Sequence, residues 1–264
     1  MHSVIQEIVQ ATVERTARME YPKIRTPHSN SRTKSIISDI RQKKAQGRVP
    51  VIAEVKPASP GKKLRDISPA DASHIASEME KAGAVAISVL TEPEFFHGST
   101  GNLEAVRKNV SIPVLRKDFI IDKIQFDEVE SDLILLIAGI LGSDLDEMVN
   151  IAISKGFEPL VETHNIRELE EALKTKAQLI GINNRDLNTL EINLNTTLEL
   201  APVVREHDKN NGSGHIIISE SGIHSTDDIR KVIGAGADAV LVGTSIIKSD
   251  DIYAKTKEFV DALD

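Results

Sequence analysis

The chain has 264 residues, 40% of them hydrophobic and 27% charged, the composition of a folded globular protein rather than a disordered one. It contains no cysteine, which removes a disulfide framework, cysteine-ligated zinc, iron–sulfur clusters and thiol catalysis together. The net charge of −8 is uneven, because residues 1–50 hold ten Lys/Arg against four Asp/Glu and the remainder holds 22 against 36. That basic leader is interleaved with apolar residues and has almost no aromatics to stack bases, so nucleic-acid binding is not expected.

In chain order, Val4, Ile5, Ile8, Val9 and Val13 share one helical face, and Ile36, Ile37 and Ile40 mark a second helix. Short β-branched runs then recur at 51–55, 85–90, 114–117, 133–137, 157–162, 179–183, 216–219 and 239–243. Helical spacing of apolar residues falls between several of them, at 70–82, 145–155, 166–173 and 227–233. The apolar run 133–141 is far shorter than the roughly 20 residues of a membrane span and reads as a buried strand with its exit. Residues 205–214 read as a solvated connection, and Gly234-Ala-Gly236 as a tight helix-to-strand turn.

Eight strand–helix units in about 250 residues predict a (β/α)8 barrel; a doubly wound sheet would carry a glycine fingerprint directly after its first strand. One barrel domain over 1–264 is expected, with 1–48 as a helical extension that plugs the barrel's bottom or packs on its flank. A partner-binding helix is the alternative for that extension. No secretory signal opens the chain, so a soluble cytoplasmic protein without a membrane partner is expected, acting as a monomer.

Barrel chemistry sits at the C-terminal ends of the strands. Strand alternation puts Ile52, Glu54 and Lys56 on one face of the first strand, and Leu115, Lys117 and Phe119 on one face of the third. Glu162 ends the fifth strand and Asn183 the sixth. Two lysines, two glutamates and an asparagine would converge on one mouth. A lone strand-end Lys or Glu is ordinarily a solvated rim residue; convergence from separate strands argues for acid–base chemistry. A lysine crowded by other cations loses its proton more easily, which would suit a general acid near neutral pH.

Ser221-Gly222 follows the seventh strand and Gly243-Thr244-Ser245 the eighth. Small residues there let backbone N–H groups approach an anion, so a phosphorylated small-molecule substrate is expected. The eight histidines show no paired ligand spacing, and no metal or cofactor is expected. His164 and His224 read as helix-start or rim residues. Phe95 and Phe119, in a chain with so few aromatics, are candidate walls of a ring pocket, with simple packing as the alternative.

Taken together, Glu54-Val-Lys56-Pro-Ala-Ser59-Pro60, Phe95-Phe96-His-Gly-Ser, Lys117-Asp118-Phe119, Leu-Val-Glu162-Thr-His, Asn183-Asn184-Arg185-Asp186, Ser-Glu220-Ser221-Gly222 and Gly243-Thr244-Ser245 closely resemble the indole-3-glycerol phosphate synthase family. The resemblance runs from about residue 48 to the C-terminus, and the basic leader is similar to that family's N-terminal extension. It implies a cofactor-free closure of 1-(2-carboxyphenylamino)-1-deoxyribulose 5-phosphate to indole-3-glycerol phosphate. Lys117 would then be the general acid at the ribulose carbonyl, and Lys56 would hold the substrate carboxylate and assist dehydration. Glu162 would stabilise developing positive charge and share in proton transfer, with Glu54 as a second acid–base group. Asn183 and Ser221 would orient and contact the substrate. Phosphate would rest on Ser59, Gly222, Gly243 and Thr244, with Arg185 among the substrate-binding residues.

The chain departs from the family's pattern at Pro57, where a basic residue is common, at Gly61, and at Thr244 in place of Ser. Residues 57–69 could close as a lid or be an ordinary loop. Other readings are a related phosphate-binding barrel such as phosphoribosylanthranilate isomerase, which the pair of strand-end lysines speaks against, and a non-catalytic barrel that binds a phosphorylated metabolite.

Overall fold

The computed structural model describes residues 3–20 and 35–264. Two helices come first, α1 (Ser3–Thr16) and α2 (Ile36–Ala45). There follow β1 (Val51–Val55), the hairpin strands β2 (Ala58–Ser59) and β3 (Lys62–Lys63), α3 (Pro69–Lys81), β4 (Ala86–Leu90), α4 (Thr100–Asn109) and β5 (Val114–Lys117). The chain continues through β6 (Leu133–Ile137), α5 (Ala138–Leu141), α6 (Leu145–Ser154), β7 (Glu158–Thr163), α7 (Ile166–Ala172) and β8 (Leu179–Asn183). It ends with α8 (Asn195–Asn211), β9 (Ile216–Glu220), α9 (Thr226–Gly234), β10 (Ala239–Val242), α10 (Thr244–Ile247) and α11 (Ile252–Val260). Apart from the β2–β3 hairpin, the strands close a parallel barrel in the order β1-β10-β9-β8-β7-β6-β5-β4, the (β/α)8 arrangement expected from the sequence.

Alternation along each strand sorts the core into two layers. Val51, Ala53, Val55, Ile87, Val89, Val161, Ile180 and Ile217 face the helices. Ile52, Ala86, Leu115, Leu133, Leu135, Leu160, Leu179, Ile218 and Leu241 fill the barrel interior. Since both faces of every strand are covered, the strands read as continuous apolar runs until their C-terminal ends, where charge begins. Helix starts are set by short polar caps: Ser68 and Asp71 form a reciprocal capping box with Pro69 in the first turn, and Ser225 with Asp228 form another. Each such cap stabilises its helix by about 1 kcal/mol.

The two leader helices close opposite ends of the barrel, which corrects the single-plug expectation. α2 covers the bottom: Ile36 and Ile40 are fully buried against the interior cluster, and Ser35 Oγ and Ile36 N–H donate to Glu158 at the start of β7. α1 instead lies over the mouth, where Ile5 and Ile8 pack on the same interior cluster and Arg15 pairs with Asp118 just past β5. Its buried face turns away from Val13 and takes in Thr12 and Thr16 instead. Val13 is 46% exposed, while Thr12 is buried with its hydroxyl donated to the Ile8 carbonyl. Residues 205–211 are also a correction, since they complete α8 and only Gly212 (φ 67) ends the helix. Pro202, inside that helix, and the Asn- and Gly-rich tail concealed it.

Candidate active site

The inward-facing parity that fills the barrel with Ile and Leu ends in charge, at the last or next-to-last residue of the strand. Glu54 from β1, Lys117 from β5, Glu162 from β7 and Glu220 from β9 all occupy this layer. Lys117 Nζ donates to Glu220 Oε2 at 2.7 Å and lies 3.5 Å from Glu54 and 4.0 Å from Glu162. Lys56 Nζ stands 3.3 Å from Glu54 and 5.8 Å from the centre of the Phe96 ring. Two glycines make room. A Cβ on Gly243 would collide with the Glu54 carboxylate, and one on Gly181 with that of Glu220.

This environment overturns one expectation. Burial favours the neutral form of Lys117, but three facing carboxylates outweigh it and hold the ammonium well above its ordinary value. The lysine is therefore kept charged by anions, not made acidic by neighbouring cations. The carboxylates divide unequally around it. Burial opposes the charge on Glu54, yet Lys56 and Lys117 bring it below the ordinary range. Glu162 is likewise opposed by burial but is drawn down to about 2 by His164 and Lys117, with help from Asn183. Glu220 absorbs the excess negative charge: burial and the neighbouring Glu162 raise it to about 7 against the pull of Lys117. Glu54 Oε1, Glu162 Oε2 and Glu220 Oε1 are buried without a hydrogen-bond partner among the described residues. Such capacity is costly unless something else uses it.

Two adjoining hollows open from this layer. One, about 860 Å³ counted out to its open mouth, is walled by Phe96, Phe119, Leu90, Ile137, Leu187 and Leu190, with Ser59 on its rim. The other, about 550 Å³ on the same measure, is lined by Ser221, Gly222, Gly243 and Thr244. Lys56, Lys117, Arg185 and Ser221 line both, while Glu162 and Asn183 line the larger. The structure thus gathers the sequence-derived candidates at one mouth with two differences of placement. Phe96, not Phe95, faces the hollow and tilts against Phe119 at 6.1 Å between centres, while Phe95 is partly buried against the interior cluster. Ser59 belongs with the aromatic wall rather than with the small-residue loops.

Ser221 (φ 64) and Gly222 (φ 82) both adopt left-handed backbone, an unfavourable conformation for serine that functional sites often retain. A Cβ on Gly222 would come within 2.7 Å of Ile192. Asn184 holds this loop by donating to Ser219 Oγ and to the Glu220 and Ser221 carbonyls, while Thr197 donates to its oxygen. Residues 57–65 form a hairpin rather than an irregular loop, with Gly61 (φ 72) at its turn and the Pro57 carbonyl accepting from Leu64 and Arg65.

Sequence reasoning missed the residues that brace the mouth. Glu92 accepts the backbone N–H groups of Glu94, Phe95 and Phe96, which sets the aromatic wall. Arg116 is fully buried outside the barrel and donates to Gln125 O, Thr91 Oγ1, Asp118 and Glu128. Asp118 also receives Arg15 and Thr91, so burial's penalty on its charge is overcome and it is held below the usual range. Glu220 and His164 lay inside recognised segments but carried no assigned role. His164 is not a rim residue, since its Nε2 lies 3.1 Å from Glu162. One histidine cluster does form without paired spacing: His207, Asp208 and His215 meet at the barrel's bottom, where Asp208 accepts from Ser213 Oγ and the His215 backbone.

A closed parallel barrel whose mouth couples a carboxylate-ringed lysine to an aromatic hollow defines an acid–base enzyme of the (β/α)8 class. A family model for indole-3-glycerol phosphate synthase matches residues 1–259, and the chain belongs to that family. It is 44% identical over 226 residues to the indole-3-glycerol phosphate synthase of Haloarcula marismortui, covering 82% of this chain and 79% of that one. It is 40% identical over 256 residues to that of Bacillus mycoides, covering 96% of each. Among solved structures, an N-acetylmannosamine-6-phosphate 2-epimerase from Clostridium perfringens superimposes with a TM-score of 0.59 over 82% of this chain and 93% of its own, at 13% identity, a likeness of fold.

Proposed function

We propose that the chain closes the ring of 1-(2-carboxyphenylamino)-1-deoxyribulose 5-phosphate, giving indole-3-glycerol phosphate, CO2 and water. The enzyme is a carbon–carbon lyase of the carboxy-lyase class, and the observation that carries its site assignment is the Lys117 ammonium held among Glu54, Glu162 and Glu220 beside an aromatic hollow. The ring carbon bearing the carboxylate attacks the ribulose carbonyl, and Lys117 delivers a proton to the oxygen as the C–C bond forms. The bond to the carboxylate then breaks, CO2 leaves, and its electron pair restores the aromatic ring. A second proton turns the hydroxyl into departing water while the adjacent methylene gives up a proton to a carboxylate, completing the double bond of the new ring. With the substrate carboxylate ionised, the sum takes up one proton per turnover.

The side chains suit these steps. Lys56, over Phe96 and between the two hollows, meets the substrate carboxylate and serves in dehydration. The apolar wall of Phe96, Phe119 and Leu90 strips water from that carboxylate, which favours its loss. Glu162, kept ionised, stabilises the positive charge that grows on the anilinic nitrogen, and Glu54 is a second proton acceptor. Asn183, Ser221 and Arg185 orient the chain of hydroxyls. Backbone N–H groups of Gly222, Gly243 and Thr244 face the phosphate in the smaller hollow.

The substrate is a free small molecule rather than nucleic acid: the basic leader spends Arg15, Lys44 and Arg48 on internal ion pairs with Asp118, Asp238 and Asp261. No helix among the described residues is long and apolar enough to cross a membrane. Action as a monomer in the cytoplasm completes the reading. Its test is incubation of the full chain with the carboxyphenylamino substrate, following indole fluorescence and released CO2. One CO2 per indole formed is expected; a folded chain that binds the substrate and forms neither contradicts it.

A further inference from the structure

Behind Glu162, away from the substrate hollow, the structure places an imidazole that the ring-closure scheme does not use. The His164 side chain is 2% exposed, with Nε2 3.1 Å from Glu162 Oε1 and Nδ1 2.9 Å from Glu168 Oε2. Glu168 is tied to the same residue twice, because it also accepts the His164 backbone N–H at 2.8 Å, and Asn165 Nδ2 donates to its other oxygen. Space for this carboxylate is left by Gly139, where a Cβ would come within 2.7 Å of it. The charged groups facing His164 are thus Glu162 from β7 and Glu168 from α7, with Asp186 in the loop after β8 adding a weaker negative field. Glu162 faces a cation from each oxygen, His164 at 3.1 Å from Oε1 and Lys117 at 4.0 Å from Oε2, with a hydrogen bond to neither.

The two cations differ in one respect that matters for turnover. Lys117 gives up its proton during the reaction, and at that moment its charge no longer holds Glu162 in its ionised state. A buried carboxylate left without a cation becomes a strong competitor for the proton. We propose that His164 is a positioning residue: braced by Glu168, its imidazolium keeps Glu162 an anion aimed at Lys117 throughout the cycle, so that the proton released by Lys117 reaches the substrate oxygen. This rests on the ring-closure reading above. Burial disfavours the charged ring, but Glu162 and Glu168 raise His164 to about 10, so it remains cationic across the working range.

The test has one arm that needs no turnover. In protein labelled at the glutamate side-chain carbonyl carbons, the Glu162 resonance is assigned by its loss in Glu162→Gln and followed with pH. It is expected to titrate several pH units higher in His164→Gln than in the wild type, toward the neutral range of a buried carboxylate that has lost a cation. In the second arm, His164→Gln loses about ten-fold or more in kcat at pH 6 and recovers part of it as the pH rises, with KM little changed. Glu168→Gln moves both readouts the same way by less, and it serves alone if the histidine variant does not fold. An unmoved Glu162 titration, or a kcat loss equal at every pH, overturns the proposal. Shifted titration in a chain whose wild type does not turn over the substrate sinks the ring-closure reading instead, and with it the proton-steering role, leaving only the contact.

Discussion

At the bottom of the barrel, Glu158 accepts from Ser35 and the Ile36 backbone, Asp132 from the Val114 backbone and Arg107, and Asp238 from Lys44, Arg205 and the Ile217 backbone. At the mouth, Glu54, Glu162 and Glu220 each keep a buried oxygen with no hydrogen-bond partner among the described residues. Both ends gather several carboxylates, buried at the mouth and mostly half-buried at the bottom, and both are covered by a leader helix. The bottom uses its anions to fasten loops and α2 to the strands, so their hydrogen-bonding capacity is spent on the fold. The mouth leaves capacity unspent and crowds its anions around one ammonium. Buried carboxylate oxygens without hydrogen bonds cost a fold stability, and the gathering of three of them around one ammonium marks that end as the place of chemistry.

The comparison can be broken by exchanging the expected effects of substitutions at the two ends. Glu162→Gln removes an anion at the mouth, and kcat should fall about 10²-fold with little change in Tm, as steady-state kinetics and a thermal melt would show. Asp238→Ala removes an anion at the bottom. It should cost about 3 kcal/mol in denaturant unfolding, since Arg205 and the Ile217 N–H lose their partner, while kcat is unchanged. If the alanine variant at the bottom impaired kcat and the mouth variant only stability, the division would be wrong.

Glu220 sharpens the contrast through pH. Its folded-state value, about 7, lies above the ordinary 4.5, so folding favours the protonated form. The associated stability is present below about pH 4.5 and lost as the pH rises through about 7. Glu220→Gln should therefore gain Tm relative to the wild type between pH 5 and pH 8, and a gap that narrowed over that range would contradict the assignment. The smallest effect is expected at the edge of the mouth. Arg15→Gln loosens α1 from Asp118 and should raise KM about five-fold, equivalent to about 1 kcal/mol, with kcat retained.

Much of this was legible in the chain because the barrel's signal is repetitive. Strands buried on both faces stand out as apolar runs, and each of the eight lies within a residue or so of the expected bounds. The site was legible where charge interrupts such a run at a known parity, as at Glu54, Lys117 and Glu162. Glu220 escaped because Ser219-Glu220-Ser221-Gly222 has turn composition, although β9 continues through Glu220 and pairs it with Asn183. Arg116 escaped because an arginine beside Lys117 and Asp118 reads as solvated, whereas four acceptors in the segments that follow β4 and β5 surround it and it is completely buried. His164 could have been suspected from parity, being two residues beyond Glu162, but its second partner lies on α7. The position of α1 over the mouth depends on Arg15 finding Asp118, 103 residues away, and no local pattern encodes that. Leader residues 21–34 lie outside the described structure.

The most direct test of the central claim is single-turnover chemistry by Lys117→Met with substrate already bound. The expected result is a folded variant that binds the carboxyphenylamino substrate with near wild-type affinity and forms indole product about 10³-fold more slowly. Product formation at the wild-type rate would contradict the account, because the ammonium ringed by Glu54, Glu162 and Glu220 would then not be the acid that drives ring closure.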